Sequence, residues 1–327
     1  MIKRGRQSAS LLAALSFAAH TGDAQSASSW KNEQVQIERA PGIIAGTLTL
    51  PAESERVPLV LILAGSGAAD RDGNDPSTAR LPSYLRQLAE SLATHGIASI
   101  RYDKRGQFGS ASALLKDQLF DTLATDAAAW VRRYRADNRF NRIIVLGHSE
   151  GALVGLLAML QANADAYVSL EGPARRQDLV LRDQLVAGQL SPSLLALSDT
   201  IMAALVAGRT YAPVPQELAG LFRPAVQPYL TSLYRYSAAE EIRKLKVPCL
   251  IVHGSSDFQE APAETVLLKA ANPACEVLEV EGMNHVLKKT PSGRAEQMAS
   301  YYDPSLPLTP GLVEGVVAFV QKVVARR

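Results

Sequence analysis

The sequence of 327 residues predicts an α/β fold, with a mostly parallel, twisted sheet covered by helices on both faces. Short apolar runs such as "VPLVLILAG" (57–65) and "RIIVLG" (142–147) have the continuous hydrophobicity of strands buried on both faces. These runs alternate with segments of helical periodicity, such as "LPSYLRQLAESLATHG" (81–96). Strands that alternate with helices require right-handed crossovers, which make neighbouring strands parallel.

The N-terminal residues have the order of an export signal. Basic residues precede the apolar run "SLLAALSFAA" (10–19), and small residues follow it around Ala24. The run has about half of the ~20 residues that a membrane-spanning helix needs, so cleavage is favoured over anchoring. We therefore expect residues 1–24 to be a signal peptide, with Ala27 as a competing end point, and the mature chain to be periplasmic or secreted.

The composition is that of an ordinary globular protein, with 47% hydrophobic and 20% charged residues. Without residues 1–24 the chain has 31 basic and 31 acidic residues, so its formal net charge is zero. A balanced charge gives no electrostatic footprint for nucleic acid or for an acidic membrane surface. No cluster of cysteine and histidine has the spacing of a zinc site, and we expect neither a metal nor a cofactor.

The remaining elements follow in a regular order. Residues 25–34 are polar and are expected to form a flexible segment, and residues 35–51 have the pattern of two strands around a Pro-Gly turn. Further strands are predicted at 57–65, 97–103, 142–147, 165–172, 247–254 and 275–282. Helices are predicted at 81–96, 116–136, 149–161, 262–271 and 310–325. These elements assign residues 35–172 and 241–327 to the core.

Residues 173–240 break this alternation of strands and helices. They contain helix-like stretches such as "PSLLALSDTIMAALVAG" (192–208), then segments interrupted by proline, and no convincing strand. Because an unstructured loop of this length is rare in a compact domain, we predict a helical cap inserted into the sheet domain. Its apolar and aromatic side chains would either line a substrate pocket or simply pack the cap onto the sheet.

The two cysteines, Cys249 and Cys275, lie near the starts of two predicted strands. An exported protein can oxidise such a pair to a disulfide. Two buried free thiols fit the sequence at least as well, so the sequence leaves both states open.

The segment "GHSEG" (147–151) fits the pattern G-x-S-x-G directly after a buried strand and before a helix. In that context the serine lies on a strained turn at the carboxyl edge of the sheet with its Oγ exposed, which predicts Ser149 as a nucleophile. A phosphate-binding turn is excluded here, because neither G-x-x-x-x-G-K-[ST] nor a correctly placed G-x-G-x-x-G is present.

A nucleophilic serine needs a general base and an acid that orients the base. His285 follows the last predicted strand and can reach across the sheet edge, whereas His148 is expected to point away from the nucleophile. Asp257 follows the penultimate strand at the same edge, and the chain order Ser149, Asp257, His285 is typical of this turn. Two alternatives stay open, namely that Asp257 is only a turn former and that Glu171 is the acid.

The oxyanion of an acyl-transfer reaction needs fixed N–H donors. We expect one from the backbone of Glu150, at the start of the helix after the serine. The other is expected from the glycine-rich loop after the strand 57–65, with Ser66 as first choice and Gly67 as second.

Five segments together resemble the α/β-hydrolase superfamily, and within it bacterial serine esterases with a helical lid. They are "LAGSGAADRDGN", "IRYDKRGQFGS", "GHSEG", "IVHGSSD" and "GMNHVL". The resemblance runs from about residue 35 to the C-terminus. It implies the following roles: nucleophile for Ser149, base for His285, orienting acid for Asp257, and backbone oxyanion donors for Ser66 and Glu150.

The resemblance also implies that Asp103 and Arg105 brace the site without taking part in the chemistry. One departure is Ala64, where many relatives have histidine before the glycine. This change alters hydrogen bonds of the loop but leaves the backbone donors in place.

The expected function is hydrolysis of carboxylic esters with small or apolar acyl groups, through an acyl-enzyme on Ser149, and the expected partner is a small-molecule ester. A peptidase or amidase of the same fold is the alternative, because the catalytic groups are shared and specificity depends on the cap. The non-enzymatic alternative is a secreted binding protein in which the triad is unused.

Overall fold

The computed structural model describes Met1 and residues 29–52, 56–291 and 293–326. Its centre is one eight-stranded sheet with the order β1-β2-β4-β3-β5-β6-β7-β8. The strands are β1 (Trp30–Arg39), β2 (Gly42–Pro51), β3 (Val57–Leu63), β4 (Ala98–Tyr102), β5 (Phe140–His148), β6 (Ala166–Leu170), β7 (Cys249–Gly254) and β8 (Glu276–Val280). Strands β3 to β8 pair in parallel, so the predicted α/β fold is confirmed. The predicted signal peptide lies, apart from Met1, outside the described residues.

The first two strands form an antiparallel hairpin at the edge of the sheet. Strand β1 begins at Trp30, so the expected flexible segment 25–34 is wrong for residues 30–34. Trp30 pairs with Pro51 and Gln34 with Thr47. Backbone pairing holds this strand although its side chains are polar, and polar side chains are common on edge strands.

Side chains of the central strands alternate between two apolar layers. In β3, Leu59 and Leu61 belong to one layer, and Val60 and Ile62 to the other. The first layer includes α2 (Phe120–Arg135) and α3 (Glu150–Gln161), and the second includes α1 (Tyr84–Thr94) and α11 (Leu312–Ala325). The parallel strands β3 to β7 are thus mostly buried on both faces, as their continuous hydrophobicity indicates, whereas the edge strand β8 exposes Val277.

Between β6 and β7 the chain forms a helical insertion. Its helices are α4 (Gln177–Ala187), α5 (Pro192–Val206), α6 (Gln216–Phe222), α7 (Gln227–Leu233) and α8 (Ala238–Ile242); α9 (Pro262–Ala271) and α10 (Arg294–Ser300) come later. Phe222 and Leu233 are buried, and the Phe120 N–H donates to Ser232 Oγ at 2.7 Å. The insertion therefore packs on the core, and its action as a lid stays a prediction. In the described part of the chain, no helix is long and apolar enough to cross a membrane.

Cys249 and Cys275 form a disulfide, with an S–S distance of 2.06 Å. The parallel register of β7 and β8 pairs Leu250 with Glu276. Cys249 and Cys275, which directly precede these two residues, therefore lie side by side. Of the two states that the sequence left open, the structure contains the bridge.

Candidate active site

Ser149 lies at the turn between β5 and α3 with φ of 54°, in the left-handed region that non-glycine residues rarely adopt. Its N–H donates to Leu170 O at 2.9 Å, which fixes the turn against the end of β6. A Cβ at Gly147 would lie 2.1 Å from Gly151 O, and a Cβ at Gly151 would lie 2.6 Å from Leu63 O. Glycine at both positions lets α3 start in contact with the ends of β5 and β3, and this packing holds the strained serine.

His285, in the loop after β8, contacts Asp257, in the loop after β7. His285 Nδ1 lies 2.6 Å from Asp257 Oδ2, and both side chains are buried. Asp257 Oδ1 accepts hydrogen bonds from the backbone N–H of Gln259 at 2.7 Å and of Glu260 at 3.2 Å. Burial alone raises the pKa of Asp257, but His285 and these donors lower it more, so this pKa lies below its usual value. An ionised Asp257 holds the proton of His285 on Nδ1 and leaves Nε2 available as a base.

His148 contributes to the site in a way that the sequence did not indicate. Its Nε2 lies 2.7 Å from the backbone oxygen of His285, and its Nδ1 lies 3.1 Å from the hydroxyl of Tyr84. A carbonyl oxygen only accepts, so Nε2 carries the proton and Nδ1 accepts from Tyr84. Burial lowers the pKa of His148 to about 3, which keeps the ring neutral. His148 is thus not a base, but its hydrogen bond holds the backbone of His285 in place.

The loop after β3 passes beside the serine, since a Cβ at Gly65 would lie 3.1 Å from Ser149 Cβ. Lys104 Nζ donates to Gly65 O at 2.6 Å and to Gly67 O at 2.7 Å. Burial lowers the pKa of Lys104. The predicted oxyanion donor Ser66 lies between these two tethered glycines, so a buried lysine fixes the loop on both sides of it.

Asp103 and Arg105, which flank this lysine, hold neighbouring loops in place. Asp103 accepts from the backbone N–H of Arg71 at 2.9 Å, from its guanidinium at 2.6 Å, and from Gly109 N–H at 3.0 Å. Arg105 forms a bidentate pair with Asp126, with distances of 2.8 Å and 2.7 Å. These buried charge-assisted hydrogen bonds orient the loops around the site.

Glu150, the second predicted oxyanion donor, has a buried side chain that reaches the insertion. Its Oε1 accepts a hydrogen bond from the hydroxyl of Tyr229 on α7 at 2.8 Å. Burial raises the pKa of Glu150, and the nearby charge of Lys104 opposes this shift. The residue after the serine therefore connects the turn to the helical insertion.

Glu171, the alternative acid, pairs with a different histidine. Glu171 directly follows β6 and has a φ of 50°. Its Oε2 lies 3.1 Å from His253 Nδ1. Burial and then the charge of Asp257 raise the pKa of Glu171 well above its usual value, and they do the same for Glu260. Asp257 is thus the ionised carboxylate of this group and the one that contacts His285.

A cavity of about 250 Å³ opens over Ser149 and His285, and Tyr84, Arg80 and Tyr301 are among its walls. Among the described residues, no group of three or more histidine, cysteine, aspartate or glutamate side chains is arranged to hold a metal ion. The arrangement brings together a half-buried serine on a strained turn, a histidine in the same cavity and an ionised carboxylate that contacts this histidine. These are the groups that acyl transfer through a covalent intermediate requires.

Comparison with known proteins identifies a family and several esterases that this chain resembles. Esterase EstD of Thermotoga maritima is 24% identical over 250 residues, which cover 75% of this chain and 58% of EstD. The chain therefore spans little more than half the length of that relative. Est1E from Butyrivibrio proteoclasticus has 16% identity and a TM-score of 0.56, with 90% of this chain and 99% of that chain covered.

The esterase Pf2001 of Pyrococcus furiosus has 17% identity and a TM-score of 0.56, with 90% of this chain and 94% of that chain covered. At such identities the two solved structures show a common fold. The model of the Alpha/beta hydrolase family matches residues 60–299, which include the serine turn, the helical insertion and both loops that carry Asp257 and His285. Since this match covers well over half of the sequence, the chain belongs to the alpha/beta hydrolase family.

Proposed function

We propose that the chain hydrolyses carboxylic esters, with Ser149 as nucleophile, His285 as general base and Asp257 as the acid that orients the base. The observation that carries this proposal is the cavity that Ser149 shares with His285, whose Nδ1 lies 2.6 Å from the buried Asp257. Two relatives that are named esterases, EstD and Pf2001, support ester hydrolysis over other acyl chemistry.

In the first step, Nε2 of His285 takes the proton of Ser149 Oγ as this oxygen attacks the ester carbonyl carbon. Asp257 accepts the Nδ1–H and stabilises the imidazolium that forms. A positioned base of this kind contributes typically about 10²–10⁴-fold in rate. His148 supports the step by holding the backbone of His285.

The negative charge then develops on the former carbonyl oxygen. We propose that the backbone N–H groups of Glu150 and Ser66 donate to it, because Glu150 begins α3 and Ser66 lies in the loop beside the serine. Lys104 holds that loop by its carbonyl groups. One donor of this type is typically worth about 10²–10³-fold in kcat.

The tetrahedral intermediate collapses when the C–O bond to the alcohol breaks and the His285 imidazolium gives its proton to the alcohol oxygen. Water then enters, His285 takes a proton from it, and the hydroxide oxygen attacks the acyl carbon. The second intermediate releases the carboxylic acid as Ser149 Oγ regains its proton. The cavity of about 250 Å³ over the serine fits a short or slender acyl group.

The proposal is tested by hydrolysis of p-nitrophenyl esters from acetyl to palmitoyl, with Ser149→Ala beside the wild type. We expect activity on short acyl chains that Ser149→Ala loses by more than about 10³-fold. Ser193→Ala, which changes an exposed serine on α5, is the matched control and should retain full activity. If the Ser149→Ala variant matches the wild type, the nucleophile assignment fails. Turnover of aminoacyl anilides in place of esters would favour a peptidase.

We further propose that the protein is exported. The charged, apolar and small-residue order of residues 1–24 supports export, and so does the disulfide between Cys249 and Cys275, which persists in oxidising compartments. Expression of the full chain in a bacterium, with N-terminal sequencing of the periplasmic fraction, should give a chain that starts at or near Gln25. An uncleaved chain confined to the cytoplasm would contradict export.

A further inference from the structure

The cavity over the serine adjoins a second cavity at the edge of the helical insertion. The first has a volume of about 250 Å³ and the second about 270 Å³, and both are lined by Arg80, Gln259 and Tyr301. Gln184 of α4 lines the second cavity, and its Nε2 donates to Gln259 O at 3.1 Å. The side chains of Arg80, Gln259 and Tyr301 therefore form a wall that faces both spaces, and a group bound over Ser149 lies beside Arg80. We call these two adjacent spaces the double cavity.

Arg80 lies on the wall that the two spaces of the double cavity share. Its guanidinium carbon lies 5.9 Å from the centre of the Tyr301 ring, and the Tyr301 hydroxyl accepts a hydrogen bond from Gln259 Nε2. The Nε of Arg80 is buried and has no hydrogen-bond partner among the described residues. A buried donor on a permanent cation is stabilised when an acceptor reaches it. Arg80 is thus a cation whose Nε–H is not engaged by another described residue.

Arg294, at the start of α10, is a second cation on the wall of the second cavity. Its guanidinium carbon lies 5.0 Å from the centre of the Phe258 ring. Among the described residues, no ion pair joins Arg80 or Arg294 to a carboxylate. The acidic side chain on these walls, Asp75, accepts from the backbone N–H and the hydroxyl of Ser77, and the charge of Arg80 helps to lower its pKa. Two arginines against one aspartate still leave the walls of the double cavity with a formal net charge of +1.

We propose that the double cavity binds an anionic group, such as a carboxylate, at the end of the ester substrate that is remote from the scissile bond. Arg80 would be the main donor and Arg294 the second. A guanidinium presents its N–H groups in one plane, in a geometry that matches the two oxygens of a carboxylate. The inference rests on the proposed ester hydrolysis, and it narrows the substrate class of the same site.

The first test compares two substrates of the same shape, p-nitrophenyl hydrogen adipate and p-nitrophenyl 6-methylheptanoate, in which an isopropyl end replaces the carboxylate. After correction for spontaneous hydrolysis, we expect wild-type kcat/KM to favour the adipate by at least about tenfold, or 1.4 kcal/mol. In Arg80→Gln this ratio should fall toward one, and in Arg80→Lys it should lie between. The butyrate ester of 6-hydroxyhexanoic acid, compared with hexyl butyrate, tests the same preference on the alcohol side.

The control is Arg209→Gln, which removes one positive charge from an exposed position of the insertion. This variant should keep the wild-type ratio of kcat/KM for the anionic ester to that for the neutral ester. It therefore distinguishes an effect of the local contact with Arg80 from an effect of the net charge of the protein. A preference for the anionic ester on either side that Arg80→Gln removes supports the proposal. Ratios near one on both sides, or ratios that Arg80→Gln leaves unchanged, overturn it.

A second readout needs no turnover. The Ser149→Ala chain is titrated by calorimetry with the same p-nitrophenyl esters, and we expect the adipate to bind about tenfold more tightly unless Arg80 is also replaced by glutamine. Equal affinities would overturn the anion site whatever the esterase activity. Selective binding by Ser149→Ala without any ester turnover by the wild type would support the anion site and overturn the proposed hydrolysis instead.

Discussion

Replacement of His148 by glutamine should reduce the loss of stability that the protein suffers in mild acid. Burial lowers the pKa of His148 to about 3, whereas a histidine in the unfolded chain has a pKa of about 6.5. Between these values the unfolded chain binds the proton and the folded protein does not. The free energy of unfolding therefore falls as the pH falls from about 6.5 toward 3.

Each pH unit in this range costs about 1.4 kcal/mol, so His148 should lower the free energy of unfolding by about 2 kcal/mol between pH 7 and pH 5. Glutamine does not titrate, and its amide N–H can still donate to the backbone oxygen of His285. Other titrating groups are common to both proteins and cancel in the comparison. The wild type should thus lose about 2 kcal/mol more than His148→Gln over this interval.

The assay is urea unfolding at pH 7, 6 and 5, followed by the fluorescence of the buried Trp130. His95→Gln, which replaces an exposed histidine after α1, is the control and should keep the wild-type dependence on pH. His148→Leu also removes the titration but loses the donor to His285, so it should lower kcat more than His148→Gln does. Parallel pH dependences for wild type and His148→Gln would refute the assignment of a buried, neutral His148.

Two further predictions concern the loop and the helix around the serine. Lys104→Met removes both hydrogen bonds to the loop carbonyls, and we expect kcat on p-nitrophenyl butyrate to fall about 10- to 100-fold with little change in KM; a change confined to KM would contradict the role of the loop. Gly151→Ala places a Cβ 2.6 Å from carbonyl oxygens at the end of β3 and should destabilise the protein by at least about 1–3 kcal/mol. Gly220 lies in a helix with open space around it, so Gly220→Ala should have a melting temperature equal to or higher than that of the wild type. Equal melting temperatures for Gly151→Ala and Gly220→Ala would argue against the tight packing at the turn.

The sequence predicted the sheet because its information there is local. Residues 57–63 and 142–147 are apolar at every position or nearly so, and this suits a strand buried on both faces. Strand β1 was predicted too short, because residues 30–34 are polar and are held by backbone pairing with β2. A pattern of side chains does not record such pairing at an edge.

In the candidate site, too, local patterns could be predicted from the sequence and contacts between distant segments could not. The turn at Ser149 has a local sequence pattern. Asp257 and His285 follow predicted strands, so their chain order was enough to select them. The structure places Asp257 in contact with His285. The roles of the three residues and of the oxyanion donors stay predictions. The contact between His148 and the backbone of His285 joins distant segments, and no periodicity signals it.

The cations of the double cavity were missed for a related reason. Arg80 and Arg294 lie far apart in a sequence of balanced charge, so neither forms part of a visible basic cluster. They line one space only because the loops after β3 and β8 meet at the carboxyl edge of the sheet. The disulfide was left open likewise, since it depends on the register of β7 and β8.

The bridge between Cys249 and Cys275 closes a covalent ring that contains β7, the loop with Asp257 and α9. A protease that cuts this ring once creates two new chain ends but releases no fragment, because the bridge still joins the two sides. The stretch around Ala261, Pro262 and Ala263 is exposed, and we take a cut there as the example. A molecule nicked in this way would remain one covalent body, and only a reductant together with the cut would divide the chain between Asp257 and His285.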